Sequence, residues 1–166
     1  MNTQRSQTPR IVVSLDRQTL SLYGAGGGLI IEFPVSTALN GAGERDGSGC
    51  TPRGQHYVRA MIGGNQPACT VFRGRRPTGE IYTPELAASY PGRDWILSRI
   101  LWLCGTESGI NRGGGVDTFR RFIYIHGTPD SEPMGIPKSH GCIRMRNADV
   151  VDLFARVSPG ISVDIR

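Results

Sequence analysis

Two side chains in this sequence have the types and spacing for covalent chemistry: Cys142, in the run Ser139-His140-Gly141-Cys142, and His126, sixteen positions upstream. A thiol at its ordinary pKa of about 8.5 is mostly protonated at neutral pH, so a nucleophilic cysteine needs a base or positive surroundings. His126 can take that proton and return it to a leaving amine. Arg144 adds positive charge two residues beyond the sulfur. Gly141, without a side chain, lets a substrate come close and lets backbone N–H groups point at a developing oxyanion. In outline this is an acyl-transfer site. No acidic third member stands beside the pair, although Asp117, Asp130 and Asp149 are available, and a backbone carbonyl orients an imidazole equally well.

A separation of sixteen is too long for neighbours on one helix and suits a strand end meeting a returning loop. The apolar, aromatic-rich run 122–125 reads as a buried strand that delivers His126 at its end, where Gly127, Thr128 and Pro129 break regular structure. Beyond the cysteine, Asn147 is placed to cap a helix with Asp149 in its first turn and Val150, Val151, Phe154 and Val157 on its apolar face. Ser158, Pro159 and Gly160 stop that helix, and 161–165 alternates as a closing strand. Upstream, 11–15 and 19–23 form a hairpin, and 29–35, 55–61 and 95–103 read as further strands. The glycines of 24–28 precede a strand-like run, whereas a phosphate cradle needs a helix there. Residues 36–50 read as a surface loop. Residues 63–92, with Pro67, Pro77, Pro84 and Pro91, read as irregular. Their arginines Arg73, Arg75 and Arg76 suggest a solvated surface or a flap that meets an anionic substrate. The fold class is therefore mainly β, a sandwich or open barrel with one helix, after the nucleophile. Residues 1–166 are read as a single domain, with 1–9 a flexible N-terminus.

The His-Gly-Thr of 126–128 and the S-H-G-C-I-R-M of 139–145, with a helix to follow, resemble the catalytic domain of the L,D-transpeptidases, cysteine enzymes of bacterial peptidoglycan. The hairpin at 11–23, Val35-Ser36-Thr37, Thr51-Pro52-Arg53-Gly54 and the strand leading from Arg121 to His126 extend the resemblance over nearly the whole chain. Many members have Asn where this chain has Arg144, and the loop between His126 and Ser139 is on the short side. The resemblance implies that Cys142 attacks the carbonyl joining a diamino acid to the terminal D-alanine of a tetrapeptide stem, forming a thioester. It implies His126 as general base and acid, oriented by the Gly127 carbonyl, with Ser139, His140 and Gly141 shaping the oxyanion site. Arg144 suits a substrate carboxylate, because a guanidinium binds carboxylates with paired hydrogen bonds. Sensitivity to carbapenems is a further expectation from the resemblance.

Water as acceptor makes such an enzyme an L,D-carboxypeptidase; a second stem's amine makes it a cross-linking transpeptidase. Residues 1–10 are polar, without the apolar core of an export signal, and no wall-binding module is evident. The expectation is a cytoplasmic L,D-carboxypeptidase acting on tetrapeptides or muropeptides in recycling or trimming. The alternatives are a wall cross-linker, periplasmic or at the cell wall if the chain was trimmed, and a peptidoglycan-binding β module without turnover.

The remaining features exclude rather than assign. With 19 Lys+Arg against 14 Asp+Glu the net charge is +5, which favours acidic partners such as carboxylate-bearing stem peptides. The arginines are scattered and no nucleic-acid-binding signature is present, so nucleic acid is not an expected partner. No run approaches the roughly 18 apolar residues of a membrane span, so no membrane insertion is expected. His126, His140 and Cys142 are zinc-ligand types, but their spacing is not a usual one and Arg144 opposes a cation; neither metal nor cofactor is expected. Cys50, Cys69 and Cys104 read as structural or exposed thiols, Cys50 and Cys69 being able to pair only if the protein is exported. A serine enzyme with an S-x-x-K motif is ruled out because Gly135 lies three residues before Lys138, the one lysine. Arg99 and Arg121 are held as supporting residues around the site, and His56 is set aside as a strand histidine that is packed or solvated rather than functional.

Overall fold

In a computed structural model of the protein the described residues are 8–166, and most of the stretch expected to be a flexible N-terminus, 1–9, lies outside them. The strands are β1 (Arg10–Ser14), β2 (Thr19–Tyr23), β3 (Leu29–Pro34), β4 (Gly54–Ile62), β5 (Thr70–Arg73), β6 (Arg76–Ile81), β7 (Ile96–Gly105), β8 (Tyr124–Thr128), β9 (Ile143–Arg146) and β10 (Ser162–Ile165). Helix α1 (Pro84–Ser89) follows β6, a 3₁₀ turn spans Gly114–Val116, and helix α2 (Asn147–Arg156) follows β9. The strands form one curled, half-barrel sheet in the order β3-β2-β1-β10-β4-β7-β5-β6, with β8 beside β7 and β9 beside β8. Of the two β architectures expected, this is the open barrel.

Strand β7 is the junction. Its residues pair with β4 from Ile100 to Gly105, with β5 at Ile96 and Leu97, and with β8 at Leu97 and from Ile100 to Trp102. Ladders are antiparallel except two: β1 with β10, and β8 with β9. The larger core fills the concave side of the sheet with Ile11, Val13, Leu20, Leu101, Ile125, Ile143 and Met145, closed by Val150 and Leu153 of α2. Each such buried side chain stabilises the fold by about 1.5–3 kcal/mol. The α2 face thus falls on Val150 and Leu153, with Phe154 and Val157 only partly buried beside them.

Three expectations need correction. Residues 63–92 are not irregular: they hold the β5–β6 hairpin and α1, so there are two helices rather than one. The prolines misled because Pro77 lies in the terminal strand of the sheet, where a missing N–H is tolerated, and Pro84 is the first residue of α1, after the Thr83 hydroxyl that accepts the Leu86 N–H. The histidine strand does not end at His126 but runs on through Gly127 and Thr128, because parallel pairing with β9 continues to Thr128 and Arg146. A Cβ on Gly127 would lie 2.6 Å from the Leu97 carbonyl oxygen, so the glycine serves close packing of β8 on β7 rather than a break.

Asn147, finally, is not a helix cap. Arg146 occupies that position without a side-chain cap bond, and Asn147 is the first helical residue, only 5% exposed. Its amide donates to Thr128 O at 2.9 Å and to Asp130 Oδ1 at 3.2 Å, and its carbonyl oxygen accepts the Ser98 hydroxyl. Ser98 sits at the irregularity in β7 with φ +69 and also accepts the Cys69 N–H at 2.8 Å. One amide therefore ties β7, the end of β8 and α2 together. Asn147→Ala, which removes the partner of the buried Ser98 hydroxyl and Thr128 carbonyl, is expected to lower the unfolding free energy by about 2 kcal/mol. Urea denaturation checks this: the midpoint should fall with an unchanged m-value.

Candidate active site

The register of β8 on its neighbours decides which side chains meet. Paired residues project to the same side of a sheet and alternate residues to opposite sides. Ile125 pairs with Ile143 and Gly127 with Met145, which sends the isoleucines and methionine into the core. His126 pairs with Arg144 and with Ile100, and Tyr124 with Trp102, so His126, Tyr124 and Arg144 share the opposite face. Cys142, immediately before β9, packs on that face with Ile100 and Tyr124. A cavity of about 290 Å³ opens there, bordered by Cys142, His126, Tyr124, His140, Arg144 and Arg75.

The sulfur of Cys142 is fixed by backbone. It accepts the Tyr124 N–H at 3.3 Å, and the thiol donates to Phe122 O at 3.4 Å. Phe122 adopts φ +57, a left-handed conformation that is strained for a bulky residue. His126 is 1% exposed, and its Nδ1 lies 2.6 Å from Gly127 O. A carbonyl can only accept, so Nδ1 carries the proton and Nε2 presents the lone pair. Burial pushes the Cys142 thiol up to about 11; Asp94 adds to this, while the Tyr124 N–H, Arg144 and Arg121 oppose it. Burial also lowers the His126 pKa, against the opposing pull of the Gly127 carbonyl. The resting pair is a neutral thiol and a neutral imidazole rather than an ion pair.

The loop carrying the cysteine is built mostly by residues other than the reactive ones. Ser139 is buried; its hydroxyl donates to Cys142 O and accepts the Gly141 N–H at 3.2 Å. Both groups expected to face an oxyanion thus use these hydrogens inside the loop. Gly141 has φ +132, a conformation strained for any residue with a side chain, and a Cβ there would also sit tightly, 3.2 Å from Cys50 O. Its carbonyl accepts from Thr51 Oγ1 at 2.9 Å, and Thr51 Oγ1 in turn accepts the Ala38 N–H at 3.0 Å. Ser36 exchanges two backbone bonds with Arg144, each 2.9 Å, and Thr37 O accepts the Ser139 N–H. The segments around Ser36 and Thr51 therefore act as the frame of the nucleophile loop. His140 is exposed at the cavity mouth.

Arg144 borders the cavity with its side chain 11% exposed, and Nη2 lies 3.3 Å from Asp94 Oδ1. Its charge is already paired. Arg121 also lines the cavity but donates to Cys50 O at 2.7 Å and Gly43 O at 3.2 Å. Arg99 bonds Ser98 O and Gln66 O. None of the three acids weighed as a third member bonds the imidazole: Asp117 accepts from Gly113 and Arg120, Asp130 from Asn147, and Asp149 lies in the first turn of α2. His56 is packed, as expected, between Gly54 O and Thr118 Oγ1. Among the described residues no three His, Cys, Asp or Glu side chains are grouped to hold a metal ion.

Sequence reasoning missed Asp94, Tyr124 and Phe122 as parts of the site and Thr51 as a support of its loop. Tyr124 was reachable, since a residue two before His126 in a strand must share its face. Asp94 gave no signal, because nothing local links it to a site fifty residues away.

This sheet, carrying a cysteine and a histidine across a parallel strand pair, defines a class. The sequence profile of the YkuD L,D-transpeptidase catalytic domain matches residues 8–165, and the chain belongs to that family. Among curated proteins it is similar to the probable L,D-transpeptidase YcfS of Escherichia coli K12, 26% identical over 172 residues, which cover 99% of this chain and 47% of the relative. The chain thus spans about half the length of that protein. An L,D-transpeptidase from Xylanimonas cellulosilytica DSM 15894 superposes with a TM-score of 0.56 at 19% identity, over 98% of this chain and 62% of the other. The L,D-transpeptidase LdtMt1, solved in complex with imipenem, gives 0.56 at 18% identity, over 95% and 58%. These structures share its fold.

The elevated thiol pKa has a direct kinetic signature. Thiolate is the reactive form, so alkylation of Cys142 by iodoacetamide should be slow at pH 7 and rise about tenfold per pH unit until it levels near pH 11. Intact-mass kinetics check this; a plateau below pH 8 would contradict the buried, neutral thiol.

Proposed function

We propose that this protein is a cysteine acyl-transfer enzyme that cleaves the bond between the diamino acid and the terminal D-alanine of peptidoglycan tetrapeptide stems, with water as the acceptor. Such an enzyme is an L,D-carboxypeptidase. The observation that carries the reading is the placement of Cys142 and His126 on one sheet face at the wall of one cavity, with the imidazole lone pair on Nε2.

In this mechanism Nε2 takes the thiol proton as Sγ bonds to the scissile carbonyl carbon. The tetrahedral intermediate then breaks its C–N bond, and the imidazolium returns the proton to the departing D-alanine amine. A thioester remains. Water attacks it while Nε2 accepts a water proton, the S–C bond breaks, and that proton restores the Cys142 thiol. The Gly127 carbonyl holds the imidazole in the required tautomer throughout. Ser139 and Gly141 shape the approach by fixing the loop, and His140 and Arg144 border the substrate.

Water is favoured because the cavity, about 290 Å³, suits the end of one stem peptide. The four free thiols suit the reducing cytoplasm, where recycled or precursor muropeptides would be the substrate. One feature favours cross-linking instead: beyond the Arg144–Asp94 pair lies a second depression, bordered by Tyr82, Tyr90, Trp95 and Glu132, by which an amine could arrive.

Incubation with a free or disaccharide-linked tetrapeptide, with and without an amine acceptor, separates the readings. Mass analysis should find tripeptide and D-alanine under both conditions. Dimeric product formed in preference to tripeptide would overturn the choice of water. Cys142→Ala should reduce turnover at least about 10³-fold with the fold intact, since a thiol-to-methyl change alters little packing. The structural relative solved with imipenem motivates a further check: imipenem should add its mass to the wild type and not to Cys142→Ala.

A further inference from the structure

Three guanidinium groups border the cavity, and two of them are already committed. Arg121 donates to the carbonyls of Gly43 and Cys50, and Arg144 is paired with Asp94. Arg75 is held differently. Its guanidinium carbon lies 4.9 Å from the ring centre of Trp102 and 4.8 Å from that of Phe122, and Nη1 donates to the Tyr124 hydroxyl at 3.1 Å. Among the described residues no carboxylate pairs with it. Ring contacts use the face of a guanidinium and leave its in-plane donors available, which is the geometry that accepts a carboxylate.

Arg75 occupies this position because of the turn that carries it. Gly74 and Arg75 join β5 to β6 with φ +55 and +64, the two-residue hairpin turn that normally selects Asn or Gly. An arginine in the left-handed region is strained, and here the strain aims the side chain over the cleft. Phe122, also left-handed, meets it there with its ring while its carbonyl accepts the Cys142 thiol. Tyr124 joins the same two points: its N–H holds Sγ and its hydroxyl holds Arg75. Sulfur and guanidinium are thus held by the two ends of one tyrosine, on the wall of one cavity.

We infer that Arg75 binds the free carboxylate of the residue that leaves, and so determines that the enzyme acts at the last peptide bond of a stem. This rests on the acyl-transfer reading above and names its specificity residue. A substrate whose terminal carboxylate is masked as an amide loses the charge-assisted hydrogen bonds while the attacked carbonyl is unchanged.

The test compares kcat/KM for a tetrapeptide stem ending in a carboxylate with the same stem ending in an amide, in the wild type and in R75K, R75Q and R76A. The wild type should prefer the acid by about tenfold or more, the effect of one charged hydrogen bond. R75Q should lose that preference through slower acid cleavage, R75K should recover part of it, and R76A, which removes a charge from the same hairpin, should match the wild type. An acid-to-amide ratio in R75Q equal to that of the wild type would overturn the inference, as would an equal loss in R76A. A second measurement does not depend on the stem substrate: the ratio of Cys142 alkylation rates by iodoacetate and iodoacetamide, read by intact mass. That ratio should fall several-fold in R75Q and not in R76A, and general changes in thiol exposure cancel from it. A lower ratio in R75Q with no stem cleavage by the wild type would keep the carboxylate site and discard the peptidoglycan reading. An unchanged ratio would discard the role of Arg75 even if stems are cleaved.

Discussion

The parallel ladder between β8 and β9 is the interaction on which the site depends. Pairing of Ile125 with Ile143 puts both side chains in the core, and that burial sets the register. Once it is set, His126, Tyr124 and Arg144 have no choice of face, and Cys142 follows at the entrance to β9. A slip of one residue would exchange the faces, sending the imidazole into an apolar core and two isoleucines into the cleft. The apolar residues between the reactive ones are therefore as decisive as the reactive ones themselves.

A parallel pair needs a crossover, and here it is a loop rather than a helix. That loop must return Cys142 to the same end of the sheet as His126 without collapsing onto it. The frame that prevents collapse comes from elsewhere in the chain: Ser36 bridges Arg144, Thr37 receives Ser139, and Thr51 clasps Gly141. On the far side Asn147 bonds β7 through Ser98 and the β8 end through Thr128. Hydrogen bonds spanning 90 or more positions of sequence thus hold the loop, which explains why the family resemblance extends to segments without reactive side chains.

The same long-range dependence marks the limit of what the sequence disclosed. The strands around Val12, Leu20 and Leu101 were legible because their β-prone or alternating residues stand between clear turn signals, although burial in all three runs through consecutive residues. The helix after Cys142 was legible as well, and motif and spacing, which are local too, singled out Cys142 and His126, which the fold brings to one cavity. The segment 63–92 was misread because proline was weighed as a breaker, whereas Pro77 lies in a terminal strand and Pro84 begins a helix. Asn147 was misread for a related reason: capping is a local preference, and three polar partners, two of them buried, outweigh it. Asp94 could not be found at all, and Arg75 was named only as one of three hairpin arginines that could face solvent or substrate, because each enters the site through a turn whose placement depends on the whole sheet.

The electrostatics of the cleft follow from the same packing. Three guanidinium groups border it, yet the thiol is pushed up rather than down, because desolvation outweighs the attraction of Arg144 and Arg121 and Asp94 adds to the upward push. A thiolate–imidazolium pair in this setting would carry two desolvation costs, repaid only with good geometry and further hydrogen bonds. The neutral pair avoids both, and the positive charge around it becomes useful only once negative charge arrives with a substrate or develops on the carbonyl oxygen. In the proposed mechanism proton transfer to Nε2 accompanies attack instead of preceding it. A sulfur that stays protonated until then is a poor target for oxidants and stray electrophiles, whose reactivity follows thiolate character. Burial thus keeps the Cys142 thiol protonated at rest, with Asp94 adding to the effect and the Tyr124 N–H, Arg144 and Arg121 opposing it.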